Sequence, residues 1–185
     1  MRTNVIDLSE KILGDAELDE VNFVIIDIAK GDSEEPLNRL AAVLGMKPKR
    51  PLYYVAHEIS LLPEYGSRNI IRYCGDYIDQ LVRFTLEDKR YLSKWFLQPL
   101  GSNIRKLRKY IDPGFFEILY AYNEIYVQAK HEFNHREDES LFSYPDAVHV
   151  VYITRSIAKR LLTLSECARD YNDQGQTAYR YHPVD

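Results

Sequence analysis

Apolar residues recur along most of this chain at intervals of three and four, the spacing that lines one face of an α-helix. Leu18, Val21, Val24, Ile25 and Ile28 make the first such stripe. β-Branched residues are dense across VNFVII at 21–26, so a strand competes with the helix there. Leu37, Leu40, Ala41 and Leu44 predict a short helix, with Asp32 or Ser33 as its N-cap. Leu52, Val55, Ala56, Ile59 and Leu62 predict the next, ended by Pro63 and Gly66. A long helix follows, capped by Ser67. Its stripe is Ile70, Ile71, Cys74, Tyr77, Ile78, Leu81 and Phe84, carrying on to Tyr91, Leu92, Trp95 and Phe96. Ile104 to Tyr110 reads as a short basic helix. Asp112 followed by Pro113 is a strong helix start, a cap residue and then proline at the first helical position. That helix keeps Phe115, Ile118, Leu119, Tyr122, Ile125, Tyr126, Ala129 and Phe133 on one side. The last helix starts near Ser143, Tyr144 and Pro145, with Asp146 placed for a capping box with Ser143. From Tyr171 the chain is polar and aperiodic, which predicts a flexible tail over 171–185. The expected fold is all-α, a single-domain helical bundle of five to seven helices spanning 1–170. The strand–helix alternation of a parallel sheet is missing.

Composition adds bounds to that picture. A chain of 185 residues fits one domain, and no stretch rich in Gly, Pro or Ser divides it. With 45% hydrophobic and 28% charged residues, global disorder is excluded. The net charge of −4 argues against a nucleic-acid binder held by bulk positive charge, and leaves room for a local patch. Cys74 and Cys167 sit at apolar-periodic positions and read as reduced core thiols. The opening MRTNVIDLSEKILGD has no apolar signal core, and no apolar run approaches a membrane span. A cytoplasmic protein with no membrane partner is expected. The 15 tyrosines suit half-buried edges and contact surfaces. Tyr53, Tyr54, Tyr73, Tyr77, Tyr120, Tyr122 and Tyr126 lie near helical stripes, where a tyrosine-rich core edge explains them. His57 and His149 sit alone on predicted helices and read as structural.

Two stretches carry candidate chemistry. The string His131-Glu132-Phe133-Asn134-His135 spells H-E-x-x-H. On a helix it places two imidazoles one turn apart, able to share a Zn²⁺, with Glu132 as catalytic base on a metal-bound water. A third ligand would come from Glu124, Glu137, Asp138 or Glu139. Several features oppose this zinc hydrolase. Arg136 and Glu137 follow the second histidine where an uncharged and then an apolar residue are usual. No histidine stands at the metzincin spacing, and at most one candidate strand is present where those families set the motif helix against a sheet. The two histidines point away from the Phe115/Tyr122/Ala129 stripe, as a solvated face or a cleft-facing one.

The second stretch, YLSKWFLQPLGSNIRKLRKY at 91–110, holds Lys94, Arg105, Lys106, Arg108 and Lys109 and no acid. Tyr91, Trp95, Phe96 and Tyr110 are interleaved with them. Cations beside flat rings match single-stranded nucleic acid, whose phosphates pair with charge and whose bases stack. The plainer alternative is a basic face on an exposed helix, with Trp95 and Phe96 in the core. Arg105, Arg108 and Lys109 are the candidate phosphate-facing residues.

Downstream, NEIYVQAKHEF, a polar loop and then LFSYPDAVHVVYITRSIAKRL resemble the HEPN-like helical bundles, over Pro113 to Leu164. The resemblance marks Asn123, Lys130 and His131 as binding residues. HEPN-like nucleases carry an arginine followed four to six residues later by a histidine. Arg50 and His57, with six residues between them, are the only pair at that spacing. About one such pair is expected by chance. It crosses Pro51 at a helix start and lies outside the resembling block, so the ribonuclease signature is in effect absent. The resemblance therefore implies a non-catalytic or diverged module that binds RNA or another protein, with a helix-face homodimer as one arrangement. No cofactor is expected on that reading, and zinc on the alternative. The zinc reading predicts stoichiometric metal in the purified protein, lost in His135→Ala; metal-free protein excludes it.

Overall fold

The computed structural model describes residues 4–31, 34–44, 50–62, 66–89, 98–131 and 142–174. Those residues form α1 (Val5–Ile12), α2 (Asp15–Ala29), α3 (Glu34–Val43), α4 (Arg50–Ile59), α5 (Ser67–Asp88), α6 (Leu100–Leu107), α7 (Pro113–His131), α8 (Tyr144–Leu164) and α9 (Glu166–Gln174). The fold is all-α, and among the described residues there is no strand. The nine helices among the described residues exceed the expected five to seven by α1 and α9.

Local contacts hold those two short helices. The Asn4 side chain accepts the Ile6 amide at 2.9 Å, and Val5, Leu8 and Ser9 are buried. At α9 the Asp88 carboxylate accepts the Cys167 amide at 3.3 Å, and the Ser165 hydroxyl oxygen accepts that of Ala168 at 2.9 Å. Tyr171 is 2% exposed and stacks on Phe84, with ring centroids 4.8 Å apart. The predicted flexible tail therefore cannot start at Tyr171. It belongs to α9, anchored by a buried ring, and 175–185 lie outside the described residues.

Across VNFVII the helix wins over the strand. Val21, Val24 and Ile28 are buried, while Phe23 and Ile26 stay about half exposed. The three-and-four spacing outweighs β-branched propensity because it packs one side of α2 on the core. Two predicted caps are made. Asp112 accepts the Phe115 amide at 2.8 Å. Asp146 accepts the Ser143 amide and hydroxyl, each at 2.8 Å. Ser67 is not a cap. It is the first residue of α5 and buried, and Gly66 turns the chain ahead of it at φ 91°. A Cβ on Gly66 would come within 2.5 Å of the Glu58 carbonyl oxygen, so glycine is needed there. The long helix ends at Asp88, with Lys89 as its C-cap residue, and its predicted continuation to Phe96 lies outside the described residues. Tyr91, Leu92, Trp95, Phe96, Asp32, Ser33 and Phe133 lie outside the described residues.

The core is built around α5, which packs against α4, α6, α7, α8 and α9. Gly75 lets α7 close on it, since a Cβ there would lie 2.0 Å from the Tyr126 ring. Both cysteines are free thiols, as expected; burial pushes the Cys74 thiol up to about 12. Cys167 rises to about 12 as well, through burial and then the neighbouring Asp88. Among the described residues no helix is long and apolar enough to cross a membrane.

The two lone histidines part company. His57 is exposed on α4, so the structural reading of it is corrected. His149 is buried on α8, with its Nδ1 2.8 Å from the Ser9 hydroxyl of α1. Burial holds its pKa below the ordinary value of 6.5, against the opposing pull of Asp146 and Glu10. Its folded pKa is depressed, so the unfolded chain binds the proton more readily. The His149 contribution is then full above about pH 6.5 and is lost as pH falls through the folded value. Thermal melting should show wild type losing stability below about pH 6.5 more steeply than His149→Gln. Parallel curves for the two would contradict this.

Candidate functional site

One edge of α5 carries Asp76, Asp79 and Arg83, at spacings of three and four that put them on a common side. Across from Gly75, the Tyr126 hydroxyl of α7 donates to Asp76 Oδ1 at 2.5 Å. One turn further, Lys130 Nζ lies 5.3 Å from the Tyr126 ring centroid and 3.4 Å from its hydroxyl oxygen. Burial and then the Asp76 carboxylate drive the Tyr126 pKa far above its ordinary value, so this hydroxyl is a fixed donor and not a base.

Asp79 is 8% exposed and pairs with Arg83 at 2.8 Å. Burial pushes its carboxyl pKa up, against the Arg83 charge and hydrogen bond. Arg83 also donates to the Gln98 backbone carbonyl at 3.3 Å. The Asn103 side chain of α6 donates to that same oxygen at 3.2 Å, and the Lys106 ammonium donates to the Gln98 side-chain carbonyl. A Cβ on Gly101 would lie 3.0 Å from the Asn123 side-chain nitrogen, so α6 and α7 are also close. The result is a polar seam that fixes α6 against α5 and α7. A buried ion pair of this kind adds little net stability, while removing one partner is costly.

The outer side of α6 is different. Arg105, Arg108 and Lys109 are all exposed, at spacings of three and one. The Arg108 guanidinium lies 5.2 Å from the Phe116 ring centroid, and Phe116 sits 6.1 Å from Tyr120, which is 41% exposed. Lys109 Nζ is 5.1 Å from the Tyr110 ring centroid and Lys89 Nζ is 6.0 Å from it. No acidic residue occurs between Lys89 and Ile111. Asp112, the next acid, is engaged by the Phe115 amide and by Arg160 at 2.7 Å. The arrangement can bind a polyanion whose charges alternate with flat groups.

Arg105, Arg108 and Lys109 are all exposed along one short stretch, and the residues marked by resemblance all lie on α7. Asn123 faces α6, Lys130 lies over Tyr126 and His131 is exposed at the end of α7. Glu132, His135, Glu137, Asp138 and Glu139 lie outside the described residues, as does the Arg50 side chain. Among the described residues no three His, Cys, Asp or Glu side chains converge as a metal set. Tyr77 and Tyr122 fit the core-edge expectation, their hydroxyls meeting Asn172 and Thr154, each at 2.7 Å. Sequence reasoning missed the seam, because Asp76 and Asp79 read as acids spread along a helix. Their spacing to Arg83, next to Gly75, was the available signal. Comparison with known proteins finds no matching family model, no matching curated protein and no matching solved structure.

Tyr126→Phe keeps the ring and removes its bond to Asp76. Urea denaturation should show a loss of about 1.5–3 kcal/mol, the range for hydrogen bonds to charged groups. Tyr120→Phe, on the exposed side, should change stability by less than about 0.5 kcal/mol. Equal effects from the two would mean the Tyr126 hydroxyl contributes nothing.

Proposed function

We propose that this protein is a HEPN-like binding module that docks single-stranded RNA on the outer side of α6 and performs no chemistry on it. The observation that carries the reading is the nearness of exposed cations and aromatic rings there: Arg105, Arg108 and Lys109 with the exposed Tyr110 and Tyr120 and the half-buried Phe116. Cations neutralise phosphates and release counterions, while rings accept unstacked bases. An acidic polypeptide would use the charges and leave the rings idle, so RNA is favoured over a protein partner. The HEPN-like part of the reading rests on the sequence block Pro113 to Leu164. The net charge of −4 confines the attraction to this local edge.

The test is a salt titration of binding to a labelled single-stranded RNA. Replacing Arg105 and Arg108 with alanine should lower the slope of log K against log salt by about 1.4, about 0.7 for each phosphate contact on a single strand. An unchanged slope, or no RNA binding by wild type, overturns the proposal. Equal competition by polyglutamate would reassign the edge to an acidic protein.

A further inference from the structure

The cationic edge ends at a pocket. A cavity of about 220 Å³ opens between the α6–α7 turn and the last turn of α8, lined by Tyr110, Asp112, Phe115, Arg160, Thr163 and Leu164. We propose that it receives one unstacked nucleobase of the bound strand; this rests on the RNA reading and names the part of the ligand that enters the fold.

Shape comes first. The volume lies below the roughly 300 Å³ at which drug-sized sites begin, so it suits one planar ring system and excludes a base pair. Chemistry comes next. Tyr110 and Leu164 stand at its mouth, 38% and 37% exposed, so a flat apolar guest would cover surface now facing water. Phe115 is the buried part of the lining, and the exposed Arg160 guanidinium lies 4.0 Å from its ring centroid. Asp112 accepts from Arg160 with one oxygen and from the Phe115 amide with the other, so the nearby carboxylate is already engaged.

Charge placement fits a strand passing over this pocket. Lys109 and Lys89 both lie near the Tyr110 ring, and Arg108 is the next residue toward α6. A second compartment of about 390 Å³ adjoins the first through Thr163 and Leu164, with Lys89 and Arg169 among its walls. Its Asp88 carboxylate is held by the Cys167 amide at the start of α9. A sugar-phosphate backbone leaving the base pocket meets Lys89 there, beside Asp88 and a Glu166 that pairs with Arg169 at 3.7 Å. The Thr163 hydroxyl donates to the Arg160 carbonyl at 2.7 Å, which commits its proton and leaves stacking as the main interaction. Stacking is tolerant of base identity, so the pocket selects single strands over duplex without selecting sequence.

The experiment uses the full chain with a single-stranded RNA carrying 2-aminopurine, and a duplex of the same sequence as control. Tyr110→Ala should weaken single-strand binding by about fivefold to a hundredfold, abolish the fluorescence change on binding and leave the salt slope as in wild type. Tyr110→Phe should retain both affinity and fluorescence change, and duplex binding should be the same in all three proteins. Wild-type affinity and fluorescence in Tyr110→Ala overturn the pocket while leaving the cationic edge in place. So does a salt slope lowered as in the double arginine variant, since Tyr110 would then only position Lys109. Absence of RNA binding by wild type overturns both proposals together.

Discussion

The approach of α7 to α5 at Gly75 is the constraint on which the rest of this architecture depends. A single added carbon at Gly75 would overlap the Tyr126 ring, so the distance between the two helices is set by a missing side chain. That distance brings the Tyr126 hydroxyl onto Asp76 and holds Lys130 beside it. The same edge of α5 then presents Asp79 paired with Arg83, and Arg83 donates to the Gln98 carbonyl, which also accepts from Asn103 of α6. The inner side of α6 is fixed by this seam together with buried Leu100, Ile104 and Leu107. Its outer side, with Arg105, Arg108 and Lys109, inherits a defined position from contacts it does not itself make.

Charge is distributed to the same end. The molecule carries net negative charge, yet the segment from Lys89 to Ile111 has cations and no acid. Such an edge attracts a polyanion locally while the remaining surface repels it, which favours one docking orientation. Three acids on the neighbouring helices are engaged, Asp112 by Arg160 and the start of α7, Asp88 by the start of α9 and Asp79 by Arg83, while Glu117 of α7 is exposed. Helix capping and the positive edge are thus parts of one arrangement, since carboxylates that satisfy helix amides oppose a phosphate less than unpaired ones do.

The long helices were readable in advance because each repeats its apolar stripe over several turns. Val21, Val24 and Ile28, or Phe115, Leu119, Tyr122 and Tyr126, are buried where their spacing placed them. Asp112 and the Ser143–Asp146 box were readable because a cap is a local bond between neighbours. The short helices α1 and α9 were not, because their support is distant in sequence: Ser9 meets His149, and Cys167 meets Asp88. The cations of the α6 edge could be named from sequence, since charge density without acid is a compositional fact. The seam and the Tyr110 pocket could not, because both depend on which helices α5 and α8 touch.

The central claim is that single-stranded RNA lies along the outer side of α6 and dips one base between Tyr110 and Leu164. Amide hydrogen exchange followed by mass spectrometry, with and without a single-stranded RNA, tests it most directly. Slowed exchange should appear over 104–112 and 160–165 and leave α2 to α4 unchanged. Protection confined to α2 to α4, or no protection anywhere at saturating RNA, would contradict the account.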